Sequence, residues 1–334
     1  MRQENKLSKE ELLVIVEAET FNRTSISFYR YVIIEDADAF RDALYEAWSA
    51  LGVLGRIYVS KEGINAQLNV PEQNFDLFRA CVDSFAKLKD VPFKVGLSEN
   101  GLSFWKLVIK NRKYILADGL DHGEYDVTNV GAHLSAKEFN DAIDDGAVVV
   151  DMRNNYESDI GHFDGAIRPD ADTFKKELPM VLDALEGKKD EKVLLYCTGG
   201  IRCEKTSAYL KHHGFNDVNQ LHGGIIDYKH QIDREGLESK YKGVNYVFDG
   251  RAHEVVTDDV LGECYQCKQP ASTPVNCTNT MCHVLLIQCG DCGEKMKGAC
   301  SDKCMTIVEL PMEEQIKMRK GVKRAHSDGR TVLR

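Results

Sequence analysis

The stretch KVLLYCTGGIRCEKTSAYL, residues 192–210, constrains the fold more than any other part of the chain. KVLLYC is a continuous apolar run with no polar alternation, the pattern of a strand covered on both faces by helices in a parallel sheet. Two glycines then turn the chain, and EKTSAYLKHHG takes up helical spacing. The same alternation of short apolar runs and helical stretches (AKEFNDAID, AVVVDMR, FKKELPMVLDAL, VNQLHGGI) extends over 129–234. It predicts a parallel α/β domain there, with a site at the carboxyl ends of its strands, where Cys197 stands.

A thiol is a useful nucleophile only as a thiolate, and a helix N-terminus with free N–H groups lowers its pKa. Gly199 and Gly200 let the backbone N–H groups turn inward as an anion-binding nest, and Arg202 adds a fixed positive charge. The loop Thr198, Gly199, Gly200, Ile201 puts four residues between Cys197 and Arg202, whereas a cysteine phosphatase loop needs five to enclose a phosphate. DMRNNYESDIGHFDGAI, YCTGGIRCEKTSAYL and LHGGIIDY resemble the three signature blocks of a rhodanese domain, whose cysteine carries sulfur as a persulfide. By position Cys197 matches that nucleophile. Cys203 either resolves a persulfide or disulfide on Cys197 or packs in the first helical turn. Asp151 and Arg153 are expected to orient the loop from the neighbouring strand end, and His162 to serve packing and hydrogen bonding rather than as a base.

At 334 residues the chain exceeds one compact core and allows two or three domains of about 100–150 residues. Ahead of the α/β domain, after an extension over 1–23, the order over 24–120 is β-α-β-β-α-β: TSISFYRYVII, ADAFRDALYEAWSAL, GRIYVS and GINAQLNV, EQNFDLFRACVDSFAKL, then VPFKVGLS and SFWKLVIK. That order predicts a ferredoxin-like α+β sandwich. KEGINAQL sets Lys61, Glu62 and Asn65 around a tight turn. FWKLVIKNRKYI brings Trp105 beside Lys106, Lys110, Arg112 and Lys113, a pattern that stacks bases and neutralises phosphates, or else a core aromatic beside a solvated edge. No apolar run approaches the roughly 18 residues of a membrane span. MRQENKLSKEELLVIVEAE lacks the apolar core of a secretory signal, so a cytoplasmic protein with no membrane partner is expected.

Eight of the eleven cysteines fall between Cys264 and Cys304, inside a Cys- and Gly-rich segment over 240–310. In a reducing compartment such clustering favours metal over disulfides. The pairs Cys264/Cys267, Cys277/Cys282, Cys289/Cys292 and Cys300/Cys304 suit two tetrahedral zinc sites, two pairs to each ion, with the pairing open. An iron–sulfur cluster and a metal-free flap are the other readings. The formal charge of −10 argues against a general nucleic-acid binder, yet residues 317–334 carry seven basic residues and one acid. The tail over 311–334 therefore reads as a phosphate contact or as a disordered end.

TSISFYRYV, GRIYVSKEGINAQL, CTGGIRCEK, LHGGIIDY and the CYQC…CHVLLIQCGDC block, in this order, are similar to the bacterial rhodanese-containing tRNA uridine hydroxylases. That resemblance implies oxygen-dependent hydroxylation of C5 of the wobble uridine, with tRNA as partner and with molecular oxygen and prephenate as small-molecule co-substrates. No flavin, NAD or haem motif is present, and no His/His/carboxylate set marks a non-haem iron site. One mechanism fits the residues: the Cys197 thiolate adds to C6 of a flipped-out uridine and makes C5 enolate-like, while Arg202 or loop N–H groups steady the charge. The alternatives are a sulfurtransferase using a Cys197 persulfide and a non-catalytic tRNA-binding or redox-regulatory module.

Overall fold

The computed structural model describes residues 7–97, 103–121, 123–320 and 332–333. After a short helix α1 (Lys9–Glu17), the first domain runs β1 (Arg23–Tyr31), α2 (Ala37–Ala50), β2 (Leu54–Ser60), β3 (Gly63–Pro71), α3 (Phe75–Ser84), β4 (Lys94–Val95) and β5 (Leu107–Asn111). The ferredoxin-like order is present, and β5 adds a fifth strand: the sheet reads β4-β1-β3-β2-β5, with β5 parallel to β2. Period-2 alternation sorts the two faces. Ile26, Phe28, Ile57, Val59, Ile64, Ala66 and Leu68 pack against Leu44, Trp48, Phe78 and Val82 of the helices. Trp48 meets Phe28 and Phe78 edge-on, with ring centroids 6.2 and 5.4 Å apart. Each such fully buried aromatic stabilises the domain by roughly 1.5–3 kcal/mol. Asp36 starts α2 by accepting from the N–H groups of Asp38 and Ala39. Phe104 is buried, which gives the core reading for that residue. The end of VPFKVGLS, at Ser98, lies outside the described residues, and its strand is the two-residue β4.

The second domain comprises β6 (Ala132–Leu134), α4 (Ala136–Asp144), β7 (Val148–Asp151), α5 (Asn155–Ser158), β8 (Gly161–Phe163), α6 (Phe174–Ala184), β9 (Lys192–Tyr196), α7 (Ile201–His212), β10 (Asp217–Leu221) and α8 (Gly224–Glu235). Strands β6-β10-β9-β7 form one sheet, parallel throughout as expected. Leu194 and Tyr196 of β9 face Phe139, Ile225 and Tyr228, while Val193 and Leu195 face Leu178, Val181 and Leu210. Burial on both faces is why KVLLYC shows no alternation.

The rest runs β11 (Tyr241–Tyr246), β12 (His253–Val255), β13 (Pro274–Asn276), β14 (Leu285–Ile287), α9 (Gly290–Lys295), α10 (Asp302–Val308), α11 (Met312–Arg319) and β15 (Val332–Leu333). Strand β11 pairs with β8, so this segment extends the second domain, and Leu285 of β14 packs with Ile160, Val244 and Tyr246. Within the tail the described residues form α11 and the short β15, which pairs parallel to β14. Residues 321–331 and 334, with much of its positive charge, lie outside the described residues. Among the described residues no helix is long and apolar enough to cross a membrane.

The first two domains are bolted together by polar contacts. Buried Lys205 of α7 donates to Glu62 at 3.1 Å, Asp118 at 2.9 Å and the Leu116 carbonyl at 2.9 Å. Tyr29 donates to Glu204 at 3.0 Å, and His230 of α8 reaches the Val95 carbonyl at 2.9 Å.

Candidate active site

Cys197 follows β9, and its loop enters α7 through Gly200 at φ 96°, a left-handed conformation that glycine adopts without penalty. The Gly200 N–H donates to the Cys197 sulfur at 3.0 Å. Burial pushes the thiol's pKa up, but the Cys203 thiol, the Arg202 charge and the N–H groups of Cys203 and Arg202 more than offset it and hold it down at about 5. Burial and the neighbouring Cys197 charge drive Cys203 the other way, well above the usual thiol value, so it stays a protonated donor. The pair therefore behaves as one thiolate stabilised by one thiol. A pH titration of thiolate ultraviolet absorbance, as the difference between wild type and Cys197→Ser, should show a midpoint near 5. Because the folded value lies below that of a free thiol, the thiolate is present above that midpoint and lost as pH falls through it. A midpoint near 8 or 9, that of an ordinary cysteine, would contradict the cradle.

Arg202 does not point a bare charge at the sulfur. Its guanidinium forms a fork with Glu157 at 2.7 and 2.9 Å and touches Thr198 Oγ1 at 3.3 Å. Glu157 is fully buried. Beside them, Glu177 is also fully buried, neither carboxyl oxygen has a hydrogen-bond partner among the described residues, and burial drives its pKa well above the carboxylate range. The LHGGI block holds the loop from the other side: Ile225 N–H donates to the Cys197 carbonyl at 3.0 Å. A Cβ on Gly224, whose φ is 70°, would sit 2.5 Å from that carbonyl oxygen.

A cavity of about 690 Å³ separates this loop from the first domain. Its roof is the polar face of the first sheet, opposite the helices, where Ser27, Tyr29, Tyr58, Asn65 and Gln67 project. Six cations line it, Arg56, Lys94, Arg112, Lys113, Arg202 and Arg251, against two carboxylates, Asp172 and Asp249. That imbalance fits an anionic ligand. Aromatic side chains on the wall, Tyr29, Tyr58, Tyr114 and Phe248 among them, provide faces for a flat one. Cys197 borders the cavity and is itself fully buried.

The structure thus brings together Cys197, Thr198, Gly199, Ile201, Arg202, Arg112 and Lys113 on one cavity. Cys203 lies beneath the loop in the core, and Lys106, just before the edge strand β5, and Lys110 on it are exposed elsewhere. Asp151 and Arg153 form a fully buried pair at 2.7 Å behind the cavity, where Asp151 accepts from Tyr196 at 2.6 Å. They brace the strand ends and touch no cavity space. His162 donates to or accepts nothing in this cavity; its Nδ1 lies 2.8 Å from the Ser158 carbonyl. Sequence reasoning missed Glu157, Glu177, Arg56, Gln67 and Lys94. The alternation in GINAQLNV, with amides at every second position, was the available signal for the polar roof.

The eight cysteines sort into two groups, Cys264, Cys267, Cys289 and Cys292, and Cys277, Cys282, Cys300 and Cys304, the first pair sharing with the third and the second with the fourth. Nearest sulfurs are 3.7 Å apart in Cys267/Cys289, Cys282/Cys300 and Cys300/Cys304. That excludes disulfides, whose sulfurs are about 2.05 Å apart. A tetrahedron with metal–sulfur bonds of about 2.3 Å has edges of about 3.8 Å, so the donor sets fit one tetrahedral ion each.

Comparison with known proteins divides the chain in the same places. Residues 23–115 match a UPF0176 acylphosphatase-like domain, 135–231 a rhodanese-like domain and 242–305 a rhodanese C-terminal domain. A tRNA uridine(34) hydroxylase of Leptospira interrogans is 54% identical over 318 residues, 95% of this chain and 87% of that protein. One of Cronobacter sakazakii is 47% identical over 95% of this chain and 91% of its own. Among solved structures, the thiosulfate sulfurtransferase of Pseudomonas aeruginosa is 22% identical where it matches, covering 34% of this chain and 20% of its own, with a TM-score of 0.27.

Proposed function

Since the chain belongs to the tRNA uridine(34) hydroxylase family, we propose that it hydroxylates C5 of uridine 34 in tRNA with Cys197 as the nucleophile. The observation that carries this reading is Cys197, cradled by loop N–H groups and Arg202 that favour its thiolate, on the border of a cationic, aromatic cavity between two domains. Uridine C5 is not nucleophilic enough to capture a mild oxidant. Addition of the thiolate to C6 breaks the C5=C6 π bond and moves its electron pair onto the C4 carbonyl, so that C5 becomes enolate-like. Loop N–H groups and Arg202 steady that charge, and expulsion of the sulfur restores the ring. In this proposal dioxygen supplies one oxygen atom to C5, two electrons and two protons from an anionic co-substrate of the prephenate type release the other as water, and the C5 proton leaves as the sulfur is expelled; the excess of cations on the cavity suits such a co-substrate. A tRNA substrate places the protein in the cytoplasm.

Full burial of the sulfur favours a second reading of the same residue. A persulfide on Cys197 would lift the reactive sulfur by about 2 Å toward the cavity, and that is the form a sulfurtransferase needs. Nucleosides from tRNA treated with wild type and Cys197→Ser separate the readings. Loss of hydroxylated uridine in the variant is expected. Loss of a thiolated nucleoside would favour sulfur transfer, and full hydroxylation by the variant would sink the role of Cys197 altogether.

The two cysteine sets hold structural zinc in this proposal. Four thiolates per ion leave no open coordination position, and an iron–sulfur core would spread its thiolates wider than 3.7 Å.

A further inference from the structure

The polar face of the first sheet carries an ordered pattern that the C5 chemistry does not use. In the strand register Lys94 stands opposite Ser27, Ser27 opposite Gln67, and Gln67 opposite Arg56. One step along the strands, Tyr29 stands opposite Asn65 and Asn65 opposite Tyr58. Directly opposed residues share a face, so these are two adjacent rows: cation, hydroxyl, amide, cation beside tyrosine, amide, tyrosine. The ends are cationic over aromatic on both sides. Lys94 lies 4.5 Å from the Tyr29 ring centre, and Arg112 lies 5.7 Å from that of Tyr58. Arg56, Lys94 and Arg112 have no carboxylate partner among the described residues, unlike Arg202 and Arg251. Between them, the Gln67 amide makes no hydrogen bond among the described residues although it borders the cavity.

We infer that this face is a nucleotide subsite for single-stranded RNA, in which Arg56 and Arg112 neutralise phosphates and Gln67 reads the edge of the target uracil. The inference rests on the tRNA reading above and adds the residues that select the base. Strands lie about 4.8 Å apart, so Lys94 and Arg56 begin about 14 Å apart and bracket a single splayed nucleotide. The Gln67 amide offers one acceptor and one donor, the complement of uracil N3–H and O4. Arg56 beside it supplies donors only, and its guanidinium carries five, enough to hold a phosphate and still turn donors toward the base. Those donors suit a carbonyl oxygen of uracil and leave the exocyclic amino group of cytosine facing donors, which breaks the symmetry of an amide that would otherwise flip to accept either base; Arg56→Ala should therefore lose base preference as well as slope. Tyr29 and Tyr58 give the base a face to stack on.

The test uses full-length protein and two anticodon stem-loop RNAs, identical except for uridine or cytidine at position 34. Binding is measured over a salt series. Each phosphate contact on a single strand contributes a slope of about −0.7 in log K against log salt. Arg56→Ala and Arg112→Ala should each make the slope shallower by about that amount, whereas Lys137→Ala, on an exposed helix, should not. Gln67→Leu should keep the slope and reduce the uridine-over-cytidine preference by about tenfold or more. Gln67→Glu, which keeps size but loses the donor, should also lose preference. Unchanged slopes in both arginine variants, or an unchanged preference in both Gln67 variants, would overturn the assignment while leaving the role of Cys197 intact. Failure of the wild-type protein to bind either RNA would instead bring down the tRNA reading itself.

Discussion

Removal of metal from the purified protein should release two zinc ions per chain and unfold the segment from Cys264 to Cys304 while the Cys197 thiolate persists. Within this segment the described secondary structure is short: two three-residue strands and two helices of six and seven residues. Its core is small and uses Cys277, Cys300 and Cys304 as apolar members. Such a segment cannot bury enough surface to offset its conformational entropy without an added constraint. Structural zinc supplies about 10–16 kcal/mol of apparent binding free energy per ion at neutral pH, which exceeds the whole stability of many domains. The second site, with three of its four cysteines buried, should dominate: Cys300→Ser should cost more stability than Cys267→Ser, whose side chain is exposed. Leu285 ties the segment to Ile160 and Tyr246, so stripping should also lower the melting temperature of the domain that carries Cys197. Elemental analysis, circular dichroism and the thiolate difference absorbance together read this. An unchanged melting temperature after metal loss would rule out the structural role.

The domain order and the location of the thiolate were legible because they depend on local patterns. KVLLYC announces a doubly covered strand, the two glycines announce the turn, and the gap from Cys197 to Arg202 sets the loop size. What was not legible depends on partners far apart in the chain. Arg202 looked like a free charge for an oxyanion, but its fork is closed by Glu157, 45 residues earlier. Lys205, which nothing in the local pattern of its helix singles out, is the buried tie to Glu62, 143 residues away. Cysteine pairing across the two sets is equally non-local, since every short spacing is compatible with several pairings. The polar roof is an intermediate case. Alternation in GINAQLNV places Asn65 and Gln67 on one face, yet whether that face meets water or another domain is decided only by tertiary packing.

Glu157→Ala should destabilise the protein by about 3–5 kcal/mol in urea denaturation, because it strands the nearly buried Arg202 charge and removes an acceptor from the loop residue Thr198. The thiolate should respond in the opposite sense to stability. Arg202 lowers the pKa of Cys197, and taking away the carboxylate that shares its charge leaves more of it for the sulfur. The Cys197 midpoint should therefore stay at about 5 or fall, while the fold weakens. Glu177 sets how large the loss becomes. Burial pushes its pKa up, Arg202 opposes that, and its two oxygens have no hydrogen-bond partner among the described residues, so it is placed to take over the stranded guanidinium. Glu177→Gln alone then costs little, and Glu157→Ala combined with Glu177→Gln should cost more than the sum of the two, a coupling of about 0.5–3 kcal/mol for groups in one charge network. Strict additivity would mean that Glu177 does not sense Arg202. A rise in the Cys197 midpoint in Glu157→Ala would mean that the fork, rather than the charge, orients Arg202 toward the sulfur.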